Sequence, residues 1–265
     1  MSSLENPPYL PPSPEPTQGS RGTEDPPWTG WDVTQIAVLT LVATFVLVLV
    51  VTLAAQHWMY PRKAVIDVAK FPLVTIVAQV LAYGFVFAFM VSIVKGKSQQ
   101  PFWRAIRWNW PWNWPWFAAG GVVMSFALQG VAGLLPMPKE LPMDRFFQTT
   151  GEAWALAFFG ITLAPLLEEL FFRGFMYPVL ARRVGVPAAI VLTGAGFSLI
   201  HAPQLGKAWG PVLVIFLVGL ILTLVRAKTH SVAATVVMHV AYNATISVLL
   251  FIGTDGFRHL EKFNP

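Results

Sequence analysis

The sequence predicts an all-α fold, a polytopic membrane bundle of about seven to eight transmembrane helices. Three observations lead there. Hydrophobic residues make up 55% of the 265 residues and charged residues only 12%, whereas a soluble domain averages about 25% charged. The chain holds 20 Phe and 11 Trp, and Trp collects where a bilayer meets water. Apolar runs recur at 34–55, 71–94, 117–135, 153–172, 187–203, 210–226 and 231–252, each near the roughly 20 residues a helix needs to cross hydrocarbon. Backbone polar groups in lipid must be paired within the segment, which leaves helices as the open-ended solution.

Taken in order, residues 1–30 are rich in Pro, Ser and acid and poor in core formers, so a disordered tail is expected there. They lack the basic n-region and small-residue cleavage site of a signal peptide, and the first apolar run is expected as a retained span. The Pro-rich stretch is also compatible with an aromatic-grooved partner, although a plain solvated tail is the simpler reading. Residues 31–150 read as N-terminal membrane helices. They include 101–116, where six Trp, two Arg and two interior Pro fall within sixteen residues. That stretch is too polar to span and too aromatic for an ordinary loop, and it is expected at headgroup depth as an anchor. The run 187–203 is short, and the region after residue 169 leaves room for another short helix. Residues 253–265 read as a C-terminal tail.

The formal net charge is +5 and there is no Cys. Disulfides, thiolate catalysis and Cys-ligated metals are excluded. The basic residues sit in short loops between apolar runs, where anchoring explains them better than nucleic acid does. Alternating spans collect Lys95, Lys97, Arg104, Arg107, Arg182, Arg183, Arg226 and Lys228 on the side of the N-terminus. Arg62, Lys63, Lys70, Lys139, Arg145, Lys207, Arg258 and Lys262 fall on the other. The first set is denser in the short loops, which favours a cytoplasmic N-terminus in a plasma (inner) membrane.

Ionisable residues inside spans are costly and therefore informative. The first three runs hold essentially none. The fourth ends in APLLEELFFRGF with Glu168, Glu169 and Arg173; the fifth ends in FSLIH with His201; the seventh holds His239 and Asn243 in HVAYN. Glu169 precedes Arg173 by four residues, the favourable order for an ion pair on one helix face. Glu168 points about a quarter turn away, with no partner in its own helix. His239 and Asn243, also four apart, can project into one space. Pro165 removes an amide donor just before the carboxylates and is expected to bend the helix there. A Glu–Arg pair alone is often a structural bridge, a lone intramembrane His often serves a backbone carbonyl, and Phe197 reads as packing. Two His, an Asn and an unpaired Glu together are harder to assign to structure alone.

Three motifs carry a resemblance. EELFFR at 168–173, FSLIH at 197–201 and HVAYN at 239–243 match the EExxxR, FxxxH and HxxxN motifs of the CAAX-protease and bacteriocin-processing family, which includes the type II CAAX prenyl endopeptidases. The order is the family's, and residues 151–252 would be the catalytic core. The resemblance implies intramembrane hydrolysis of a peptide bond in a membrane-embedded or lipidated substrate. It implies that Glu168 with His201 activates a water, that His239 with Asn243 stabilises the oxyanion, and that Glu169 and Arg173 support the site. Zinc is possible, with Glu168, His201 and His239 as its ligands. However, no HExxH occurs and the two histidines lie 38 positions apart, so a water-only mechanism is equally compatible.

Other readings fit less well. A two-aspartate protease needs Asp within spans, and Asp25, Asp32, Asp67, Asp144 and Asp255 fall in tails or loops. A serine mechanism through Ser198 leaves both Glu without a role. A proton-coupled transporter would use midplane Glu and His, but no internal repeat accompanies them. A non-catalytic scaffold or immunity protein on the same fold is the remaining alternative.

Overall fold

The structure, a computed structural model, describes residues 24–138, 142 and 149–260. Among these residues there is no strand. Helix α1 spans Gly30–Trp58, α2 Val65–Val68, α3 Pro72–Lys97, α4 Phe102–Ala105 and α5 Trp114–Ala132. Next come α6 (Thr150–Ile161), α7 (Leu163–Glu169), a π-helical segment (Leu170–Met176) and α8 (Tyr177–Val184). The last three are α9 (Val186–His201), α10 (Trp209–Thr229) and α11 (Val232–Gly253). Six stretches are long and apolar enough to cross a bilayer, one being the composite Thr150–Val184, while α9 is apolar but shorter. The expected polytopic bundle is present, and this is a multi-pass integral membrane protein.

The helices pack as pairs: α1 with α3 and α9 with α10, each neighbours in the chain, and α5 with α11, which start from the same end of the bundle. The composite α6–α8 runs through the middle and touches all three pairs. Its outer neighbours turn apolar side chains outward, Leu41 at 72% and Phe45 at 73% exposed, as a lipid-facing helix should. The α9–α10 crossing depends on two glycines. A Cβ placed on Gly219 would stand 3.0 Å from both the Cα and the carbonyl oxygen of Gly194, so only bare backbones can approach this closely.

Local chemistry sets the ends. Asp32 in the first turn of α1 accepts from Thr29 N at 2.7 Å and Thr29 Oγ1 at 2.8 Å, satisfying an orphan donor at the helix start. The break between α6 and α7 falls at Thr162, and α6 ends at Ile161, four residues before Pro165. Proline offers no N–H to that carbonyl and its ring crowds it, so the expected bend appears one turn ahead of the proline. Ser231 caps α11 by accepting from Ala234 N at 3.0 Å, and its own hydroxyl donates to the carbonyl of Asn109.

Two expectations need correction. The tail expected through residue 30 covers 1–23, which lie outside the described residues, and 24–30, which are packed: Glu24 and Trp28 are buried and α1 already begins at Gly30. Composition signalled a solvated segment, but specific ion pairs and one Trp hold these residues. The C-terminal tail expected from residue 253 folds back over 254–260. There Phe257 is buried against Trp154 and Phe251, and its carbonyl accepts from Thr150 Oγ1 at 2.8 Å. The Trp-rich segment does expose Trp110, Trp112 and Trp116, yet it also drives Ile106 into the core beside Phe175.

Candidate active site

The composite helix delivers two carboxylates with different surroundings. Glu169, the last residue of α7, is fully buried, as is Arg173 in the π-helical segment. Arg173 Nη1 donates to Glu169 Oε1 at 2.7 Å, Nη2 to the Gly219 carbonyl at 2.8 Å and Nε to Thr223 Oγ1 at 3.3 Å. The guanidinium also lies 4.8 Å from the Phe197 ring centre. Each nitrogen of this buried cation therefore has a hydrogen-bond partner, which its burial requires. Glu168, with 16% of its side chain exposed, turns instead into a cavity of about 460 Å³.

Two imidazoles meet Glu168 there. His201 Nδ1 lies 2.7 Å from the Phe197 carbonyl; since a carbonyl only accepts, Nδ1 carries the proton and Nε2 is free. His239 Nδ1 lies 2.8 Å from Glu169 Oε1, which by the same logic directs its Nε2 into the cavity. These free nitrogens stand 3.8 Å (His201) and 3.9 Å (His239) from opposite oxygens of Glu168. Both gaps are too long for direct hydrogen bonds and wide enough for a bridging water. Asn243, one turn beyond His239, donates Nδ2 to the Gly160 carbonyl at 2.7 Å. That bond ties α11 to α6 and leaves the rest of the carboxamide on the cavity wall.

The structure thus brings Glu168, His201, His239 and Asn243 onto one cavity, with Glu169 and Arg173 directly behind it. Phe197 does more than pack. Its carbonyl fixes His201, and its ring contacts His201, His239 and Arg173. Ser198 is nearly buried and gives its hydroxyl to Ala195 O at 3.0 Å, which leaves the serine reading without an exposed nucleophile.

Sequence reasoning treated the first three spans as silent, and here it missed residues. Gln79 and Tyr83 of α3 line the same cavity. The Tyr83 ring stacks on Phe159 at 5.6 Å. Thr223 and Gly219 of α10, which hold Arg173, were missed as well. A Gln and a Tyr four apart in an apolar run were the only available signal.

Zinc is testable against this geometry. Among the described residues, no group of three or more His, Asp or Glu is placed so that it could hold a metal ion. Glu168, His201 and His239 supply suitable donor types, but their present spacing does not form such a group, and no step below passes through a metal.

Residues 150–245 match the family model described as Type II CAAX prenyl endopeptidase Rce1-like. That segment is similar to the Rce1-like family. It contains all three motifs and every cavity group named above except Gln79 and Tyr83, in keeping with the CAAX-protease and bacteriocin-processing family. The match supports a CAAX-type intramembrane protease at the level of the family. Comparison with curated proteins and with solved structures returned no match.

Proposed function

We propose that this protein is an intramembrane endopeptidase that hydrolyses a peptide bond of a membrane-associated or lipidated peptide, using a water activated by Glu168 and His201. The observation that carries the reading is the placement of Glu168 between two free imidazole nitrogens in a cavity of about 460 Å³. A water seated between Glu168 and His201 gives up its proton to the carboxylate as its oxygen adds to the substrate carbonyl carbon. The resulting oxyanion falls to the Asn243 amide and to His239, a type of stabilisation commonly worth about 2.7–4 kcal/mol per donor. His239 can donate from Nε2 only when that nitrogen also carries a proton, because the Nδ1 proton is committed to Glu169. The C–N bond then breaks, the captured proton passes to the leaving amine, and an acid and an amine leave the cavity. Glu169 and Arg173 hold the His239 ring at its angle.

The test is cleavage of a labelled membrane peptide by purified protein in proteoliposomes. Glu168→Ala and His201→Ala are expected to abolish cleavage while the protein stays folded in detergent. Normal cleavage by both variants would overturn the assignment.

For topology, the loop charges favour a cytoplasmic N-terminus in the plasma (inner) membrane; Lys139, Arg145 and Lys262 of that comparison lie outside the described residues. The cavity runs from Glu168 toward Pro72, Gln204 and Leu250, the end opposite the N-terminal segment. The chain has no native Cys, so a single Cys at Gln100 should react only with a thiol reagent on the cytoplasmic side, and one at Gln204 only from outside. The reverse pattern would invert the topology.

A further inference from the structure

A polar cluster at the other end of the composite helix takes no part in the chemistry above. Glu24 is 3% exposed and Arg226 1% exposed. Arg226 clasps both Glu24 oxygens, from Nη1 at 2.7 Å and Nη2 at 3.1 Å. Arg107 Nε lies 3.4 Å and His230 Nδ1 3.1 Å from the same carboxylate. Nearby, Trp28 buries its indole against Phe175 and donates Nε1–H to the Phe175 carbonyl at 3.1 Å. Arg182 Nη1 donates to Pro26 O at 2.9 Å and its Nη2 to Trp28 O at 3.2 Å, securing this short stretch of chain.

What this clasp holds is the π-helical segment. A π-helical turn is rare and persists where its surroundings favour it. Here two of its carbonyls accept from outside: Phe175 O from Trp28, and Arg173 O from Arg226 Nε at 3.2 Å. Arg173 in turn fixes Glu169, and Glu169 fixes His239. An unbroken set of contacts therefore runs Glu24, Arg226, Arg173, Glu169, His239. Its first member lies outside the Rce1-like segment 150–245.

We propose that Glu24 is a positioning residue for the candidate active site, holding Arg226 on the Arg173 carbonyl so that the π-helical segment keeps Glu169 and His239 aimed at the cavity. This rests on the peptidase reading for its kinetic consequence, though not for its structural one. Without Glu24 the Arg226 guanidinium loses its counter-charge and swings toward solvent, the Arg173 carbonyl loses its donor, and the segment relaxes toward α-helical register.

The experiment uses full-length wild type, Glu24→Ala, Glu24→Gln, Glu24→Asp and Trp28→Phe, with two readouts. One is peptide cleavage; the other is the imidazole ¹⁵N spectrum of His239 in detergent. Glu24→Ala and Glu24→Gln should lower kcat roughly 10- to 100-fold, change KM by less than about two-fold, and shift the His239 Nδ1–H signal. Glu24→Asp should recover part of both. Trp28→Phe keeps an aromatic ring but removes the donor, and should give a smaller change of the same kind. If Glu24→Ala fails to fold, Glu24→Gln carries the test. Unchanged kcat and an unchanged His239 signal in folded Glu24→Gln would overturn the proposal. If wild type cleaves nothing while the His239 signal still shifts in Glu24→Gln, the peptidase reading fails and the coupling stands.

Discussion

His239 Nδ1 and Glu169 Oε1 stand 2.8 Å apart although they lie 70 positions apart in the chain, and the same carboxylate oxygen accepts from Arg173 at 2.7 Å. One buried oxygen thus serves an ion pair and a histidine at once. Replacing Glu169 by Ala strands a fully buried Arg173, and removing one member of a buried pair costs about 3–5 kcal/mol. Glu169→Ala should lose most folded protein or show a much lower Tm in detergent. Glu169→Gln should fold and lose activity instead. Thermal unfolding beside the cleavage assay separates the two effects; a Glu169→Ala protein with wild-type Tm would remove the structural role.

Asn243 is expected to act late in the reaction rather than in binding. Asn243→Ala removes an amide donor from the cavity, and loss of an oxyanion donor commonly lowers kcat by about 10²–10³-fold. KM should stay near its wild-type value. An equal rise in KM with kcat unchanged would assign Asn243 to substrate binding.

At the α9–α10 crossing, Gly219→Ala would press a methyl group against the backbone of Gly194. The opposing atoms belong to main chain and cannot swing aside, so roughly 1–3 kcal/mol of stability should be lost. The same shift would carry the Gly219 carbonyl away from Arg173 Nη2. A lowered Tm together with lowered activity is the expected result, and an unchanged Tm would show that the helices separate freely here.

The docking of residues 24–28 should depend on acid. Burial alone would raise the Glu24 carboxyl, but the hydrogen bonds and charges of Arg226, with His230 and Arg107, hold it below its ordinary value. A carboxyl depressed in the folded state contributes stability that is complete above its unfolded value, about pH 4.3, and declines as pH falls through the depressed folded value. Quenching of Trp28 fluorescence, read against Trp28→Phe, should therefore be flat from neutrality to about pH 5 and change only in stronger acid. A transition near neutrality would contradict the assignment.

Metal removal gives a further test. Chelation should leave peptide cleavage unchanged, because the proposed steps pass through a water and side chains alone. Loss of activity with recovery by zinc would place a metal among Glu168, His201 and His239, and would require those groups to close on it.

Much of this arrangement was legible in the chain. Apolar runs near a bilayer's width marked the helices because lipid punishes unpaired backbone groups. Glu169 and Arg173 could be paired from their spacing, since i and i+4 share a helix face. Glu168, His201, His239 and Asn243 stood out because polar groups in hydrocarbon need a reason. Other parts were hidden for physical causes. Tyr83 and Gln79 come from a helix that looks uniformly apolar, and only tertiary packing turns them toward Glu168. Glu24 sits in a Pro-rich stretch whose composition argues for solvent, while its binding depends on Arg107, Arg226 and His230, far away in sequence. A π-helical turn has no periodicity signature of its own at this length.

Helix α9 has a consequence for the membrane itself. Its 16 residues rise only about 24 Å, against the roughly 30 Å thickness of a typical hydrocarbon core. His201 closes its final turn, with Gln204 just beyond. Thinning of the adjacent leaflet is one way a short span is accommodated, and it would make headgroups and their hydration dip toward His201. Bilayer thickness then becomes a control on water supply to the cavity: short acyl chains should deepen the dip, and long or sterol-stiffened ones should flatten it.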